Sequence, residues 1–303
     1  MKKKNEVVVG LGEVLWDCLP SGKQLGGAPA NFAYHVSQLG HQACMVSAVG
    51  NDELGDQTLK SFDKKELPYT VSKVNYPTGT VHVTLSGAGI PEYEIKKNVA
   101  WDNIPFTPEL EELAHRTIAV SYGSLAQRSE VSRSTITQFL EAMPHREDVL
   151  KIFDINLRQT FYTKEIIEDS LKRCNILKIN DEELYTIGQL LDLPRLDMED
   201  SCMTLIKMYH LKMVILTCGT KGSYVFTQEL ISFKETPLVT VADTVGAGDS
   251  FSAAFCSALL SGASIPDAHQ LAVNISAFIC TQKGAMPILP KSMRPQLERE
   301  TCI

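Results

Sequence analysis

Asp243-Thr244-Val245-Gly246-Ala247-Gly248-Asp249 is the stretch that says most about how this chain folds. Apolar residues follow it at helical spacing, so it is predicted to be a glycine-rich turn that leads into a helix. The backbone N–H groups at a helix N-terminus lack intrahelical partners and carry partial positive charge, which favours anions and phosphate in particular. A carboxylate is unfavourable beside a phosphate unless it has a chemical role. Here that role would be to take a proton from a hydroxyl as a phosphoryl group arrives.

The alternative role for Asp249 is charge complementarity with the helix terminus, which is worth less than about 1 kcal/mol at a surface. That effect accounts for an Asp or a Ser at this position. It does not account for Gly246, Ala247 and Gly248, which leave the backbone beside the carboxylate bare. The combination therefore favours a functional site.

Composition limits the class of protein. The chain has 303 residues, of which 44% are hydrophobic and 21% charged, as is ordinary for a globular enzyme. Its net charge of −7 argues against nucleic acid as the main partner. No apolar run is long enough for a signal peptide or a membrane span, so a cytoplasmic protein is expected. The cysteines form no CxxC pair and the histidines no HExxH spacing, so a structural transition-metal site is not expected.

Apolar runs alternate with helical stretches along most of the chain. The predicted strands include residues 4–10, 43–49, 117–122, 149–154, 176–179, 213–217 and 223–227, and the predicted helices include residues 28–39, 52–65, 129–143, 182–188 and 202–209. Buried strands that alternate with helices predict an α/β fold with a doubly wound, largely parallel sheet flanked by helices. Ligands of such sheets lie beyond the carboxyl ends of the strands.

One segment has a different pattern. Residues 78–85 alternate between polar and apolar side chains, which predicts a half-exposed antiparallel strand. Ser86-Gly87-Ala88-Gly89 predicts a turn, and residues 92–97 the returning strand. This hairpin is expected to form a small antiparallel β lid that stands off the main body.

The simplest organisation is a single α/β domain over residues 1–303. No internal repeat, low-complexity tract or long linker divides the chain. The lid segments are expected at approximately residues 13–25 and 76–105, inserted in that domain.

A second glycine-rich stretch, Gly26-Gly27-Ala28-Pro29-Ala30-Asn31, opens the first predicted helix. A tight turn and a helix start explain this stretch about as well as a ligand site does. In the functional interpretation, Gly27 lets the backbone approach a small polar molecule and Asn31 presents its amide to hydroxyl groups. Asp17 follows the first strand, where a substrate would lie. A lone Asp there is usually a solvated loop residue, so Asp17 gains weight only together with the other groups.

Two polar groups follow later strands. Asp154, Asn156 and Arg158 can share one face of an extended segment, which in isolation slightly favours an edge segment with a local ion pair. The alternative places Arg158 near a substrate or a transferring phosphate. Asn180 and Glu183 fit a helix capping box. They also fit a pair that positions water-bound Mg²⁺ near phosphates, and both roles can hold together.

The stretch Thr217-Cys218-Gly219-Thr220-Lys221-Gly222 follows a further predicted strand. It lacks the spacing and the terminal GK[ST] of a Walker A sequence. It can still form a glycine loop along a nucleotide, although the motif alone is a weak signal.

Taken in order, these motifs resemble those of the ribokinase-like (PfkB-type) carbohydrate kinases, over approximately residues 7–290. Residues 243–249 are similar to the C-terminal signature of that family, and residues 26–31 to its N-terminal signature. The groups at 154–158 and 180–183 lie between the two signatures, which makes the joint match highly specific. The resemblance implies a ribokinase-like fold, a sugar substrate, and ATP and Mg²⁺ as cofactors.

The resemblance also implies a role for each site residue. Asp249 is the catalytic base, and the backbone of Gly246, Ala247 and Gly248 forms an anion hole for the charge that develops during transfer. Positions of the sugar pocket are matched by Asp17, Gly27, Asn31 and Arg158. Positions that bind the nucleotide or tune Mg²⁺ are matched by Asn180, Glu183, Thr217, Gly219, Gly222 and Asn274. Some family members bind a monovalent cation such as K⁺ beside the anion hole, and Asp243 would be its ligand here.

Within the family, four stretches look like the fructokinase branch: residues 13–20, 79–85, 99–104 and 123–129. We therefore expect an ATP-dependent fructokinase whose lid closes over the sugar and excludes water. The alternatives are a kinase for 2-keto-3-deoxygluconate, ribose or a nucleoside, a catalytically silent sugar or nucleotide sensor, and a scaffold whose lid is a dimer interface. Exposed sheet edges tend to pair, so a homodimer through the lid is also an expectation. Neither nucleic acid nor a membrane is an expected partner.

Overall fold

Short runs rich in valine and isoleucine form the strands of one large sheet, because these side chains fit a strand that is buried on both faces. The computed structural model describes residues 5–19, 22–85, 91–194 and 196–294. The strands are β1 Val7–Leu11, β2 Leu15–Leu19, β3 Gly22–Gly26, β4 Ala43–Gly50, β5 Tyr69–Val74, β6 Gly79–Leu85, β7 Pro91–Ile95, β8 Thr117–Tyr122, β9 Leu150–Asp154, β10 Ile176–Asn180, β11 Met213–Thr217, β12 Ser223–Phe226 and β13 Ile231–Lys234.

The helices begin at side chains that suit a helix N-terminus. Asp52, Thr107 and Thr163 each accept a hydrogen bond from a backbone N–H of the first turn, and Pro29 lies in the first turn of its helix. The helices are α1 Ala28–Gln38, α2 Glu53–Lys64, α3 Pro108–His115, α4 Glu130–Ala142, α5 Lys164–Arg173, α6 Asp181–Leu190, α7 Met198–Tyr209, α8 Ala247–Leu260 and α9 Ile265–Cys280.

The large sheet has nine strands in the order β13–β12–β11–β10–β9–β8–β1–β4–β5. The strands from β11 to β5 pair in parallel, and β12 and β13 add antiparallel pairs at one edge. The prediction of a largely parallel sheet flanked by helices is therefore confirmed.

Successive residues of each buried strand face opposite layers of helices, as the period of two requires. Val9, Leu11 and Phe153 belong to one apolar cluster, which includes side chains of α3 to α7. Val8 and Ile152 belong to the other cluster, which includes side chains of α1, α2, α8 and α9. The sheet thus separates two cores, and the helices α1 and α8, which begin with the two glycine-rich stretches, pack on the same face.

A smaller, four-stranded sheet has the order β3–β2–β6–β7. The pairs β2–β3 and β6–β7 are antiparallel, as expected for the lid, but β2 and β6 pair in parallel. Sequence patterns predicted β6 and β7 as strands and treated β2 and β3 only as lid segment. The predicted turn at residues 86–89 lies outside the described residues.

None of the helices in the described part of the chain is both long and apolar enough to cross a bilayer.

Candidate active site

Polar residues collect at the carboxyl ends of the parallel strands, because these strands all end at the same edge of the sheet. Glu13 follows β1. The last residues of β9, β10 and β11 are Asp154, Asn180 and Thr217. These four strands lie close together, since only β8 separates β9 from β1 in the order β11–β10–β9–β8–β1. The edge therefore gathers residues that are far apart in the sequence.

Asp249 lies in the first turn of α8, which begins after Gly246. Gly246 has a φ of 80°, in the left-handed region that favours glycine. The Nδ2 atom of Asn31, on α1, donates a hydrogen bond to Oδ2 of Asp249 at 2.7 Å. Each of the two glycine-rich stretches that the sequence singled out thus contributes one residue to this hydrogen bond.

The electrostatic surroundings make Asp249 more basic than a surface aspartate. The pKa of Asp249 is raised from 3.8 to about 6, chiefly by burial and secondly by the charge of Asp154. The hydrogen bond from Asn31 and the charges of Lys178 and Arg158 act in the opposite direction. A carboxylate with a pKa of about 6 is ionised at neutral pH and still has useful affinity for a proton, as a general base requires.

Lys178 is a site residue that the sequence reasoning missed. Its Nζ lies next to the first turn of α8, since a Cβ atom placed on Gly248 would come within 2.8 Å of it. Nζ forms a buried ion pair with Oδ1 of Asp154 at 3.0 Å, and Ser252 donates a hydrogen bond to Oδ2 of Asp154 at 3.1 Å. The sequence does contain a signal for Lys178, which is a lysine within an apolar strand. A charge buried in this way needs a partner of opposite charge nearby.

Glu13 is the second residue that was missed as an individual side chain. It is only 3% exposed, and the nearby backbone N–H groups of Glu13 itself and of Ala28 act to lower the pKa of its carboxyl group. Its Oε2 atom has no hydrogen-bond partner within the described parts of the chain. Burial raises the pKa of Glu13 from 4.5 to about 7, and the charge of Asp249 adds to the increase while that of Arg158 opposes it. A polar residue directly after a buried strand was its only signal in the sequence.

Gly27 and Asp17, predicted for the sugar pocket, lie on the chain segments next to Glu13. Gly27 has a φ of 119°, and a Cβ atom there would come within 2.4 Å of the Glu13 carbonyl oxygen, so the close approach requires glycine. Asp17 lies on β2, with Oδ2 close to Gly26. Burial raises the pKa of Asp17, and the charge of Arg158 opposes the increase.

Arg158 is exposed and lies in the segment after β9. Its Nη1 donates a hydrogen bond to the carbonyl oxygen of Leu157 at 3.0 Å. Its charge acts on three acidic residues: Asp17, Asp249 and Glu13. The predicted sugar-pocket residues are therefore gathered around the same carboxylates.

Asn180 and Glu183 form the capping box that the sequence allowed. Asn180 Oδ1 accepts from the Glu183 N–H at 2.8 Å, and Glu183 Oε2 accepts from the Asn180 N–H at 3.0 Å. Glu183 Oε1 also accepts from the N–H of Leu157 at 2.9 Å, which ties α6 to the segment that bears Arg158. Burial raises the pKa of Glu183 and the charge of Lys178 opposes the increase.

Because both oxygens of Glu183 already accept backbone N–H groups, this carboxylate fits contact with metal-bound water better than direct ligation. Direct ligation would also need companions. Among the described residues, no group of three or more His, Cys, Asp or Glu side chains is placed to hold a metal ion. The donor set therefore fits a Mg²⁺ that keeps its waters and binds chiefly to phosphate oxygens.

The residues predicted for the nucleotide lie towards the β11 side of the edge. Thr217 is opposite Asn180 in the β10–β11 register, and Gly219 and Gly222 have φ values of 55° and 108° in the turn that follows. Asn274 is exposed on α9, where its Oδ1 accepts from Gln270. No hydrogen bond or ion pair between these residues and Asp249 occurs within the described residues, so they form a separate part of the site.

Asp243 orders the loop that precedes α8. Its Oδ1 accepts from the N–H of Val245 at 3.0 Å, and its Oδ2 accepts from the N–H of Gly284 at 3.1 Å. The carboxylate thereby joins the loop at residues 243–248 to the loop after α9. Each oxygen keeps a lone pair, so a monovalent cation beside it is compatible with these contacts.

Cavity volume does not identify this site. A cavity of about 210 Å³ lies between α4 and α5, and none of the site residues lines it. A cavity of about 10 Å³ is lined by Pro29, Gly123, Asp154 and Asp249 among others. That volume holds no more than a water-sized group, so a sugar would have to approach Asp249 from its partly exposed side.

The architecture is that of the ribokinase-like α/β kinases. The crystal structure of the fructokinase from Vibrio cholerae in its fructose-, ADP- and calcium-bound form matches this fold with a TM-score of 0.77. The match covers 95% of this chain and 97% of that chain at 23% sequence identity.

The sequence profile of the pfkB family carbohydrate kinases matches residues 18–292. Because the match spans most of the chain, the protein belongs to the pfkB family and is a sugar kinase. Probable fructokinase-5 of Arabidopsis thaliana is 31% identical over 314 residues, which cover 94% of this chain and 94% of the relative. The ATP-dependent 6-phosphofructokinase of Thermoanaerobacterium thermosaccharolyticum is 30% identical over 286 residues, which cover 91% and 84% respectively.

Proposed function

We propose that this sugar kinase is an ATP-dependent fructokinase, which converts D-fructose and ATP into D-fructose 6-phosphate and ADP. The observation that carries the proposal is the hydrogen bond of 2.7 Å between Asn31 and Asp249. It joins the helix that would bind the sugar hydroxyls to the helix that would bear the base. The names of the relatives support fructose as the acceptor.

In this reaction the C6 hydroxyl of fructose approaches Asp249. The C6 oxygen forms a bond to the γ-phosphorus of ATP while the bond from that phosphorus to the β–γ bridging oxygen breaks. The hydroxyl proton passes to Asp249, and ADP leaves. Asp17, Gly27, Asn31 and Arg158 would hold the sugar so that the attack is in line.

Negative charge on the transferring group is balanced by positive groups at the start of α8. The N–H groups of Gly246, Ala247 and Gly248 would form the anion hole. The ammonium group of Lys178 lies behind Gly248, which makes it a further source of positive charge. When bound, Mg²⁺ supplies positive charge to the phosphate oxygens, and Asn180 and Glu183 would hold it through water.

ATP would lie along the β11 side of the sheet edge. Thr217, Gly219 and Gly222 provide a turn with accessible backbone, and Asn274 would border the adenine pocket. K⁺ is the proposed occupant beside Asp243, where it would add positive charge to the loop at residues 243–248.

The smaller sheet would act as the lid. In this proposal, residues 13–25 and 76–105 belong to a single domain and close over the sugar to exclude water, which otherwise competes for the phosphoryl group. The exposed face of this sheet would also be the contact surface of a homodimer.

A second candidate is a kinase for an acidic acceptor, because Arg158 is exposed beside the predicted sugar pocket. A guanidinium group binds carboxylate or phosphate through two parallel hydrogen bonds. An acceptor such as 2-keto-3-deoxygluconate or fructose 6-phosphate would offer such a group, and one relative is named as a 6-phosphofructokinase. Arg158→Ala would then raise the KM for that acceptor strongly.

The test is a panel of acceptors in an assay coupled to ADP release: fructose, fructose 6-phosphate, 2-keto-3-deoxygluconate, ribose and adenosine. Fructose is expected to give the highest kcat/KM. Asp249→Asn is expected to lower kcat by about 10³-fold, because general base catalysis contributes about 10²–10⁴-fold. Asp192→Asn, on an exposed residue, is the matched control.

A higher kcat/KM for an acidic acceptor would replace fructose with that acceptor. Fructose binding without ADP release would point to a sensor. Near-normal turnover by Asp249→Asn would mean that the proposed base is wrong.

A further inference from the structure

Helix α1 makes a second polar contact, which has no direct role in the proposed phosphoryl transfer. One turn after Asn31, the Nε2 atom of His35 lies 2.8 Å from the carbonyl oxygen of Ala285. Residues four apart lie on the same face of a helix, so the two side chains project in the same direction. Asn31 reaches the proposed base at the start of α8, while His35 reaches the loop that follows α9.

The hydrogen-bond partners of His35 define its tautomer. The ring is fully buried. A carbonyl oxygen only accepts hydrogen bonds, so Nε2 carries the hydrogen and donates it to Ala285. The other nitrogen, Nδ1, faces Nε2 of Gln38 at 3.4 Å and accepts from it. Burial lowers the pKa of His35 to about 4, so the ring is neutral and keeps this arrangement around pH 7.

Ala285 lies directly against the turn that starts α8. A Cβ atom placed on Gly246 would come within 2.6 Å of the Ala285 Cβ and 3.0 Å of its carbonyl oxygen. The adjacent residue, Gly284, donates its N–H to Asp243 in the same loop. Residues 284–285 therefore pack against the loop that would form the anion hole.

Gln38 strengthens the same link on the next turn of α1. Its Nε2 donates to the carbonyl oxygen of Pro287 at 3.1 Å, and its Oε1 accepts from the N–H of Leu289 at 2.8 Å. The remaining packing between α1 and α8 includes the apolar side chains Phe32, Val36 and Phe255. Apolar contact is not directional, whereas hydrogen bonds fix distance and orientation.

We propose that His35 is a positioning residue for phosphoryl transfer: its hydrogen bond to Ala285 holds the Gly246 turn where Asn31 can reach Asp249. The inference rests on the proposed function of Asp249 as the base. A displacement of about 1 Å at such a centre can cost about 10²-fold in rate, so this contact outside the reacting groups has a measurable effect.

The test compares two substitutions of His35 with a matched control. His35→Leu removes the donor at similar volume, and His35→Gln keeps an N–H donor at a position comparable to Nε2. His269→Leu is the control, because His269, on α9, is equally buried and is hydrogen-bonded to Ser223 of β12 and Ser232 of β13 rather than to the loop after α9. Both leucine variants are expected to lose stability through the lost buried hydrogen bonds.

Only His35→Leu is expected to lose rate out of proportion to stability. At a temperature where all variants are folded, its kcat should fall about 30-fold with less than about a threefold change in the sugar KM, as for a misplaced base. His35→Gln should recover most of that kcat. Equal kcat in the two leucine variants, or equal loss in His35→Leu and His35→Gln, would overturn the proposal.

A structural measurement separates this proposal from the proposed function. In a crystal structure of His35→Leu, the Asn31–Asp249 distance should lengthen from 2.7 Å to beyond hydrogen-bond range, while His269→Leu should leave it unchanged. An unchanged distance in His35→Leu overturns the positioning role even if the enzyme phosphorylates fructose. A lengthened distance supports it even if the acceptor is another sugar.

Discussion

At the residue scale, the site depends on Asp249, whose carboxylate is partly desolvated but still accessible from one side. Asp249 is partly exposed, yet its surroundings raise its pKa to about 6. Asn31 stabilises the ionised form by donating a hydrogen bond, and Asp154 opposes it by charge. The balance between these neighbours sets the pH range in which the base is available.

The acid side of the pH profile should therefore report Asp249. The base must be ionised, so log(kcat/KM) should rise with unit slope up to about pH 6 and then level off. Asn31→Leu removes a hydrogen bond to the ionised form, so this bend should move to higher pH by about one unit. Profiles of both proteins with the same sugar check the prediction. A bend at the same pH in both would contradict it.

Glu13 gives a prediction on stability, because folding raises its pKa from 4.5 to about 7. The folded protein thus favours the protonated carboxyl group. The stability that this proton provides is complete below about pH 4.5 and is lost as the pH rises through about 7. Glu13→Gln cannot ionise, so above pH 7 its free energy of unfolding should exceed that of the unmodified protein by about 3 kcal/mol relative to the difference near pH 4.5.

Urea unfolding at pH 5 and pH 8 measures this difference. Glu112→Gln, on an exposed position of α3, is the matched control and should show no such dependence. If the difference between Glu13→Gln and the unmodified protein is the same at both pH values, Glu13 is not held in its protonated form.

The sequence allowed Asp249 and Asn31 to be selected because glycine-rich stretches and helix starts are local features. Lys178 and Glu13 are different. Lys178 reaches the site because alternate residues of β10 face opposite layers, and the partner that neutralises it, Asp154, lies on a neighbouring strand. Such pairing depends on strand order, which local patterns do not specify. The same limit applies to His35, whose partner Ala285 lies 250 positions away in the sequence.

At the element scale, the boundaries with strong local signals were predicted closely. The predicted helix at 28–39 is α1 at Ala28–Gln38, and the predicted strand at 117–122 is β8. The strands β2 and β3 were not predicted as strands, because β3 is a short polar segment, Gly22–Gly26, without a clear period. The parallel pairing of β2 with β6 is non-local, so the sequence predicted the lid but not this register.

The start of α8 gives a prediction at this scale. In Gly248→Ala the new Cβ would come within 2.8 Å of Lys178 Nζ, so the end of the lysine must move away. We expect kcat to fall about 30-fold, because displaced positive groups stabilise the transferring charge less. Stability should change by less than about 1 kcal/mol, since alanine favours a helix.

Gly188→Ala, within α6, is the matched control. Among the described residues, no atom apart from the neighbouring residues and the backbone of α6 itself lies within 4 Å of the new Cβ, so kcat should stay unchanged and stability should rise slightly. Kinetics and urea unfolding of both variants decide the matter. A Gly248→Ala enzyme with the kcat of the unmodified protein would show that the Lys178 ammonium does not contribute.

At the scale of the whole molecule, the two tryptophans of the chain lie where the smaller sheet meets the main body: Trp16 on β2, and Trp101 in a short 3₁₀ helix at Ala100–Asn103. Trp16, on β2, donates through Nε1 to Thr58 Oγ1 at 2.9 Å and to the Leu54 carbonyl oxygen at 3.2 Å, both on α2. Trp101 is fully buried against Gly79 at the start of β6. A movement of β2 relative to α2 would alter the contacts of Trp16, and a movement of the start of β6 would alter the packing of Trp101.

Lid closure should therefore change the tryptophan fluorescence when fructose binds. Trp16 is on a strand of the sheet and hydrogen-bonds to α2, whereas Trp101 lies off the sheet in the 3₁₀ helix at Ala100–Asn103. The signal should therefore persist in Trp101→Phe and disappear in Trp16→Phe, which keeps the aromatic packing but loses the N–H donor. Titration calorimetry on the same samples confirms that each variant still binds the sugar. Binding without any fluorescence change would show that the sheet does not move. A signal that persists in Trp16→Phe would place the movement at Trp101, where the Arg128 guanidinium lies 4.1 Å from the indole ring.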